Sequence, residues 1–325
     1  MIQQMVIDVG ERQYELVENW GQLPEGWVWG QCAGVACDSE DNVLVFTRTD
    51  HPVMVFDKSG KLVDHWGEEI FEYPHGVCIT PNDDVYFVET DTHMISKFNK
   101  SGRHLMSMGK RHEASDTGYT QEQREAAGPL ASGGGMPTIN GVGHGAGPFN
   151  RPTDISIAEN GDIFVSDGYR NSRTHWFKPD GTLVKSWGEP GNAKELKNTK
   201  NKPGYFHTPH GIWVHKNRVY VSDRENYRIQ VYDTNGEFID IWPGFERPTK
   251  IYVDPKEEVM YVSELEDRFS IVNLDGTVIG SYGSERSNDP GKFWGPHGIW
   301  VDSEGSIYIA EVLKGERLQK FARRK

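Results

Sequence analysis

Along nearly the whole chain, short runs of alternating apolar residues are separated by turns that carry Asn, Asp or Gly. The runs are enriched in β-branched and aromatic types, Val43-Leu44-Val45-Phe46 among them. Such alternation predicts strands, and the Gly-bearing turns predict hairpins. The pattern repeats. Each unit reads as a short strand, a turn, a second strand ending near an acidic residue, a loop, a third strand with an aromatic, a Gly turn and a fourth strand closing on Trp-Gly or a relative of it. The units cover residues 31–67, 73–109, 150–188, 208–242 and 247–283, and a sixth starts at Gly295. Their turns are Lys58-Ser59-Gly60, Lys100-Ser101-Gly102, Pro179-Asp180-Gly181, Thr234-Asn235-Gly236 and Leu274-Asp275-Gly276.

A period of about 40 residues with four strands per unit is the pattern of a propeller blade. Six units predict an all-β fold, a six-bladed β-propeller of four-stranded antiparallel blades, in a single domain over 1–325. The sixth unit reaches Phe321 without a fourth strand. At the other terminus, Tyr14-Glu15-Leu16-Val17-Glu18-Asn19-Trp20-Gly21 matches the fourth-strand pattern of Leu62-Val63-Asp64-His65-Trp66-Gly67 and has no unit of its own. It is expected to complete the last blade, close the ring and cover a sheet edge. Insertions at about 110–148 and 189–207, and a shorter one at 284–293, fall between a fourth strand and the next first strand. Lids or pocket walls, or plain decoration, are the two readings of them.

Composition narrows the function. Gly at 36 residues and Trp at 10 suit many short strands and tight turns. A net charge of −13 speaks against a phosphate-backbone partner, so no nucleic acid is expected. No apolar run is long enough to span a bilayer, and no membrane association is expected. Met1 to Gly10 shows no secretory signal, and three cysteines (Cys32, Cys37, Cys78) cannot all pair. A cytoplasmic location follows as the expectation. Cys32 and Cys37 would face opposite sides of a strand, which disfavours a shared metal. The Gly-rich stretch 141–147 follows no strand-to-helix pattern, and no Gly-x-Ser-x-Gly elbow is present.

The chemistry sits in a triplet. Pro74-His75-Gly76, Pro209-His210-Gly211 and Pro296-His297-Gly298 occupy one equivalent position in every second unit. The other units place Ala33, Thr153 and Thr249 there, so the histidine is not simply how a blade begins. Alternate blades of a six-fold ring put the three imidazoles about 120° apart. Neutral imidazoles in that arrangement suit zinc, or Fe2+ or another divalent first-row metal, with a position open for water or substrate. A second ring comes from the loops after each second strand: Arg48, Glu89, Asp167 with Tyr169, Asp223 with Arg224, Glu264 and Glu311. Asp167-Asn171-Arg173 and Asp223-Asn226-Arg228 read as a structural framework. Arg48, Tyr169 and Arg224 fill its variable slots. An arginine fork suits a carboxylate, and a tyrosine beside a metal and two guanidinium groups can serve as a base.

Taken together, Phe46-Thr47-Arg48-Thr49-Asp50-His51, Ser166-Asp167-Gly168-Tyr169-Arg170-Asn171-Ser172-Arg173, Asp223-Arg224-Glu225-Asn226 and the three Pro-His-Gly triplets resemble peptidyl-α-hydroxyglycine α-amidating lyase, on an NHL-type propeller. The likeness runs over nearly the whole chain. It implies zinc held by His75, His210 and His297, Tyr169 as catalytic base, and Arg48 and Arg224 as substrate-binding or charge-stabilising groups. The implied reaction breaks a C–N bond of a small, carboxylate-bearing substrate and releases glyoxylate or a related carbonyl product. This chain departs from the family at several points. Arg170, and Gln230 or Val231, stand where secreted animal members carry cysteines, so their disulfides are not expected. Gly295-Pro296-His297-Gly298 replaces Met-Pro-His-Asp, which puts the family's structural calcium in doubt. Two other classes stay open at this point. One is a metal-dependent hydrolase of the lactonase kind, although propeller lactonases generally use an acidic calcium site. The other is a non-catalytic NHL interaction scaffold, which has no reason to alternate its histidines. Substrate identity, native metal and oligomeric state are not readable from the sequence.

Overall fold

The computed structural model describes residues 5–119, 143–191 and 202–324. Parts of both long insertions and of the Gly-rich stretch therefore lie outside the described residues. The architecture is a six-bladed β-propeller of four-stranded antiparallel blades. Blade one is Cys32–Cys37, Val43–Thr47, Val53–Phe56 and Leu62–Trp66; blade two is Pro74–Ile79, Val85–Glu89, Met94–Phe98 and His104–Gly109. Blade three is Asp154–Ile157, Ile163–Asp167, Arg173–Phe177 and Leu183–Trp187; blade four is Pro209–His215, Arg218–Asp223, Arg228–Asp233 and Phe238–Pro243. Blade five is Pro248–Asp254, Val259–Glu264, Arg268–Asn273 and Val278–Tyr282. Among the described residues the only helix is one 3-10 turn, Arg224–Asn226, and none is long and apolar enough to cross a membrane.

Blade six confirms the expected closure and adds to it. Pro296–Val301, Ile307–Glu311 and Arg317–Arg323 are followed in the sheet by Arg12–Val17, in register Leu16↔Phe321 and Tyr14↔Arg323. A fifth strand, Val6–Val9, pairs outside it. The fourth-strand pattern begins at Tyr14 and does not reveal this hairpin, although its turn, Gly10-Glu11, follows the largely β-branched run Val6–Val9.

Burial grades across each blade. First and second strands are buried at nearly every position, as in Cys32–Cys37 and Val43–Thr47, whereas fourth strands such as Leu62–Trp66 are mostly exposed. This gradient explains the recurrent Trp-Gly. Trp20, Trp66 and Trp187 each pack on a turn glycine, at Gly60, Gly102 and Gly236. At Gly236 the backbone is left-handed (φ 77°) and a Cβ would lie 2.9 Å from the Trp187 ring, so only Gly fits. The closing aromatic and the turn glycine are thus two halves of one contact.

The chain divides into two compact units. One comprises Met1–Val85, Phe98–Arg103 and Thr249–Lys325, and its core joins Tyr14 and Leu16 to Phe269, Phe293, Ile309 and Phe321. The other comprises Tyr86–Lys97 and His104–Pro248, with Phe164, Phe206, Ile212 and Tyr232 at its centre. None of the three cysteines is in a disulfide; all are buried, and burial pushes the Cys32 and Cys37 thiols up, which makes them poor nucleophiles.

Leu16 is 5% exposed within the first core, and Val28 is 66% exposed. Leu16→Ala is expected to cost about 2–5 kcal/mol, against about 0.5 kcal/mol or less for Val28→Ala. Equal urea midpoints for the two variants would show that the N-terminal strand is not integral to the fold.

Candidate active site

Two of the Pro-His-Gly strands begin irregularly. Pro209 pairs with Asp223, but the next partners are Ile212 and Val221, so one extra residue is accommodated at His210-Gly211. Pro296 pairs with Glu311 and then Gly298 with Ala310, which leaves His297 outside the ladder. These are β-bulges, and a bulge re-aims the side chain it carries. Proline can open such a strand because no ladder donor is needed there.

Neighbouring side chains take the carbonyls that the ladder leaves. Thr153 Oγ1 donates to Pro209 O at 3.0 Å, and Thr249 Oγ1 to Pro296 O at 3.1 Å. Ser166 and Ser263 hydroxyls donate to the carbonyls of His210 (2.9 Å) and His297 (3.1 Å). Where blade one has Ala33, Arg48 supplies the donor instead, with Nε 3.0 Å from Pro74 O. The threonines that stand in for histidine therefore hold the histidine strands.

His75, His210 and His297 are all buried, and their candidate ligand nitrogens lie within 4.8 Å of one another. The His75 and His297 rings meet edge-on, with centroids 4.7 Å apart. Nδ1 of His297 lies 2.6 Å from Ala33 O. A ring nitrogen facing a carbonyl carries the proton, which makes Nε2 the candidate ligand atom. Three buried imidazoles, one with its tautomer fixed by a carbonyl, fit a first-row divalent ion.

Tyr169 follows the second strand of blade three. Gly168 permits this: a Cβ there would lie 1.9 Å from Pro209 O, so no other residue lets the loop reach the histidine strand. The Tyr169 hydroxyl is 3.1 Å from Nε2 of His210. Two guanidinium groups flank the ring, Arg224 at 5.5 Å and Arg151 at 5.8 Å from its centroid. The expected partners were Arg224 and Arg48. Arg48 instead contacts Gln31 (Nη1 to Oε1, 2.6 Å), Pro74 and the Tyr73 ring.

Arg224 opens the 3-10 turn and is 2% exposed. Burial alone would lower its pKa, but the Glu225 carboxylate and then the Tyr169 hydroxyl outweigh that and raise it. Its Nε donates to Glu225 Oε1 at 2.8 Å, and Arg247 Nη2 reaches the same oxygen at 2.6 Å. Nη2 of Arg224 is buried without a hydrogen-bond partner among the described residues. An unmet buried guanidinium donor is costly unless an acceptor arrives.

The framework acids are saturated. Asp223 accepts from His207 N, Asn226, Arg228 and Gln230. Asp167 accepts from Asn150 N, Asn171 and His175, so His175 takes the place expected of Arg173, which bonds Ser186 O instead. Sequence reasoning missed Arg151 and Arg247, and a signal was there. Arg151-Pro152-Thr153 and Arg247-Pro248-Thr249 are the odd-blade counterparts of Tyr73-Pro74-His75, Thr208-Pro209-His210 and Gly295-Pro296-His297. The slot before the proline is left-handed in both, at φ 61° and 57°, and in Thr208 at 60°.

Residues 206–232 match the NHL repeat family. The chain is 27% identical over 330 residues to the peptidyl-glycine alpha-amidating monooxygenase of Mus musculus, covering 87% of this chain and 29% of that protein. It is 25% identical over 333 residues to peptidyl-alpha-hydroxyglycine alpha-amidating lyase 2 of Drosophila melanogaster, covering 91% of this chain and 72% of that one. The protein is an NHL-repeat six-bladed propeller that resembles the amidating lyases. Among solved structures, a streptogramin B lyase has a TM-score of 0.61 at 16% identity and covers 98% of this chain and 100% of that chain. The gluconolactonase XC5397 of Xanthomonas campestris has a TM-score of 0.61 at 12% identity, with 97% and 91% covered. Those two likenesses show the fold alone.

Glu225 is a pH-sensitive point in this site. Burial would raise its pKa, but Arg224 and then Arg247 outweigh burial and hold it below the ordinary value of 4.5. A depressed folded pKa means the stabilisation is full above the unfolded pKa and is lost as pH falls through the folded one. The melting temperatures of the parent protein and Glu225→Gln should therefore differ most near neutral pH and converge in acid, below the ordinary carboxylate range. A gap that stays constant into strong acid would contradict the ion-pair assignment.

Proposed function

We propose that this protein is a metal-dependent lyase that cleaves the C–N bond of a small carbinolamide-type α-hydroxy carboxylate, releasing an amide and glyoxylate or a related carbonyl compound. The observation that carries the reading is the Tyr169 hydroxyl, 3.1 Å from Nε2 of His210 within the buried three-histidine cluster. Relatives named as amidating lyases supply the reaction class. In this reading His75, His210 and His297 hold zinc, Fe2+ or another first-row divalent ion, which when bound lends positive charge to the substrate oxygen that loses its proton.

The remaining roles fall to side chains. Arg224 offers Nη2, which has no hydrogen-bond partner among the described residues, to the substrate carboxylate. Arg48 adds a second positive charge while it holds the carbonyl ahead of His75. Tyr169 accepts the carbinol proton at its phenolic oxygen. As the carbinol C–O becomes C=O, the C–N bond breaks, its electron pair stays on nitrogen, and a proton is returned there. Protons and electrons balance, so the step needs no redox partner.

Tyr169→Phe should keep the wild-type metal content and thermal unfolding but lower glyoxylate release from an α-hydroxyglycine substrate by about 10²–10⁴-fold. Full turnover in that variant would remove Tyr169 as the base. His210→Ala should lose one equivalent of bound ion by elemental analysis, and unchanged stoichiometry would take His210 out of the ligand set.

A further inference from the structure

A second group of donors lies in blade one and takes no part in the reading above. Strands Val53–Phe56 and Leu62–Trp66 pair as Val53↔Trp66 and Met54↔His65. The hairpin thus brings His51, just ahead of the first strand, to the side where His65 ends the second and Glu68 follows it. Nδ1 of His65 is 2.8 Å and Nδ1 of His51 is 3.4 Å from the same Glu68 Oε1. The candidate ligand atoms of the three lie within 4.8 Å of one another.

The rings are held in place. Trp27 stacks on His51 with centroids 3.4 Å apart and planes 11° apart, and meets His65 edge-on at 5.0 Å. Thr49 bonds the His51 backbone twice, accepting from its N–H and donating to its carbonyl, both at 3.2 Å. The donors nevertheless remain open to solvent, at 30%, 46% and 39% side-chain exposure for His51, His65 and Glu68.

We infer that His51, His65 and Glu68 form a second metal site, which takes a first-row divalent cation such as Cu2+, Ni2+ or Zn2+, with water completing the coordination. Two imidazole nitrogens and one carboxylate oxygen are the donors such ions prefer, whereas Ca2+ and Mg2+ favour all-oxygen sets. The hydrogen bonds already hold both nitrogens at the carboxylate. A neutral ring needs only to carry its proton on Nε2 for Nδ1 to ligate, so no net proton is lost. Trp27 supports one face of His51 and sits within reach of any ion bound there.

The site shares no residue with the three-histidine cluster, so its test is independent of the lyase reading. In a His210→Ala background, calorimetric titration with Zn2+ should still show one equivalent bound. Adding His65→Ala or Glu68→Gln should abolish it or weaken it at least about tenfold, a loss of about 1.4 kcal/mol. Cu2+ should quench a component of the tryptophan fluorescence that Trp27→Phe removes. Zn2+ uptake unchanged by both His65→Ala and Glu68→Gln, in protein with the parent circular dichroism spectrum, would overturn the site. So would no uptake at all in the His210→Ala background.

Discussion

The bulge one residue into a blade's first strand sets the constraint on which the histidine geometry depends. A strand that opens with Pro and bulges at the next residue forfeits regular ladder bonds where the histidine sits. The exposed carbonyls must be satisfied from outside the strand. Thr153 and Thr249 do this for Pro209 and Pro296, and Ser166 and Ser263 do it for the histidine carbonyls. Blade one has Ala33 and no hydroxyl at that position, and Arg48 takes over. The alternation of histidine with threonine is therefore a division of labour: one blade presents the imidazole and the preceding one fixes its backbone.

Charge around Tyr169 follows from the same repeat. Arg151 and Arg247 occupy the left-handed slot before an odd-blade proline, one beside the Tyr169 ring and the other on Glu225. A buried arginine is tolerated only if compensated. Glu225 compensates Arg224 and Arg247 through a single oxygen, and Asp91 pairs with Arg151. Compensation is incomplete at Arg224, where Nη2 has no acceptor among the described residues.

Much of this was legible in the sequence because the repeat makes it periodic. Blade number, the turn glycines, the Trp-Gly closures and the return of Leu16 to the last blade all follow from aligning units. So did the convergence of His75, His210 and His297. What escaped was aperiodic or contact-dependent. The Val6–Val9 strand belongs to no repeat. His175 in place of Arg173 as the partner of Asp167 depends on side-chain reach, which spacing does not encode. Arg151 lies one residue ahead of the proline, outside the Pro-His-Gly register in which the repeat shows its histidines.

The fold is shared with a gluconolactonase as well as with a lyase, so the donor set has to discriminate. A hard cation such as calcium asks for several uncommitted oxygens. Here the acids at the ends of second strands are engaged by protein donors. Glu264 is held by Arg268 and Ser270, Glu311 by Arg317, Gln319 and Trp294 N, and Asp167 and Asp223 by the bonds already described. Among the described residues, both clusters able to hold an ion are instead dominated by histidine. A ring of acids that already serves as frame leaves nitrogen, not oxygen, as the ligand on offer, and it is nitrogen that selects first-row metals.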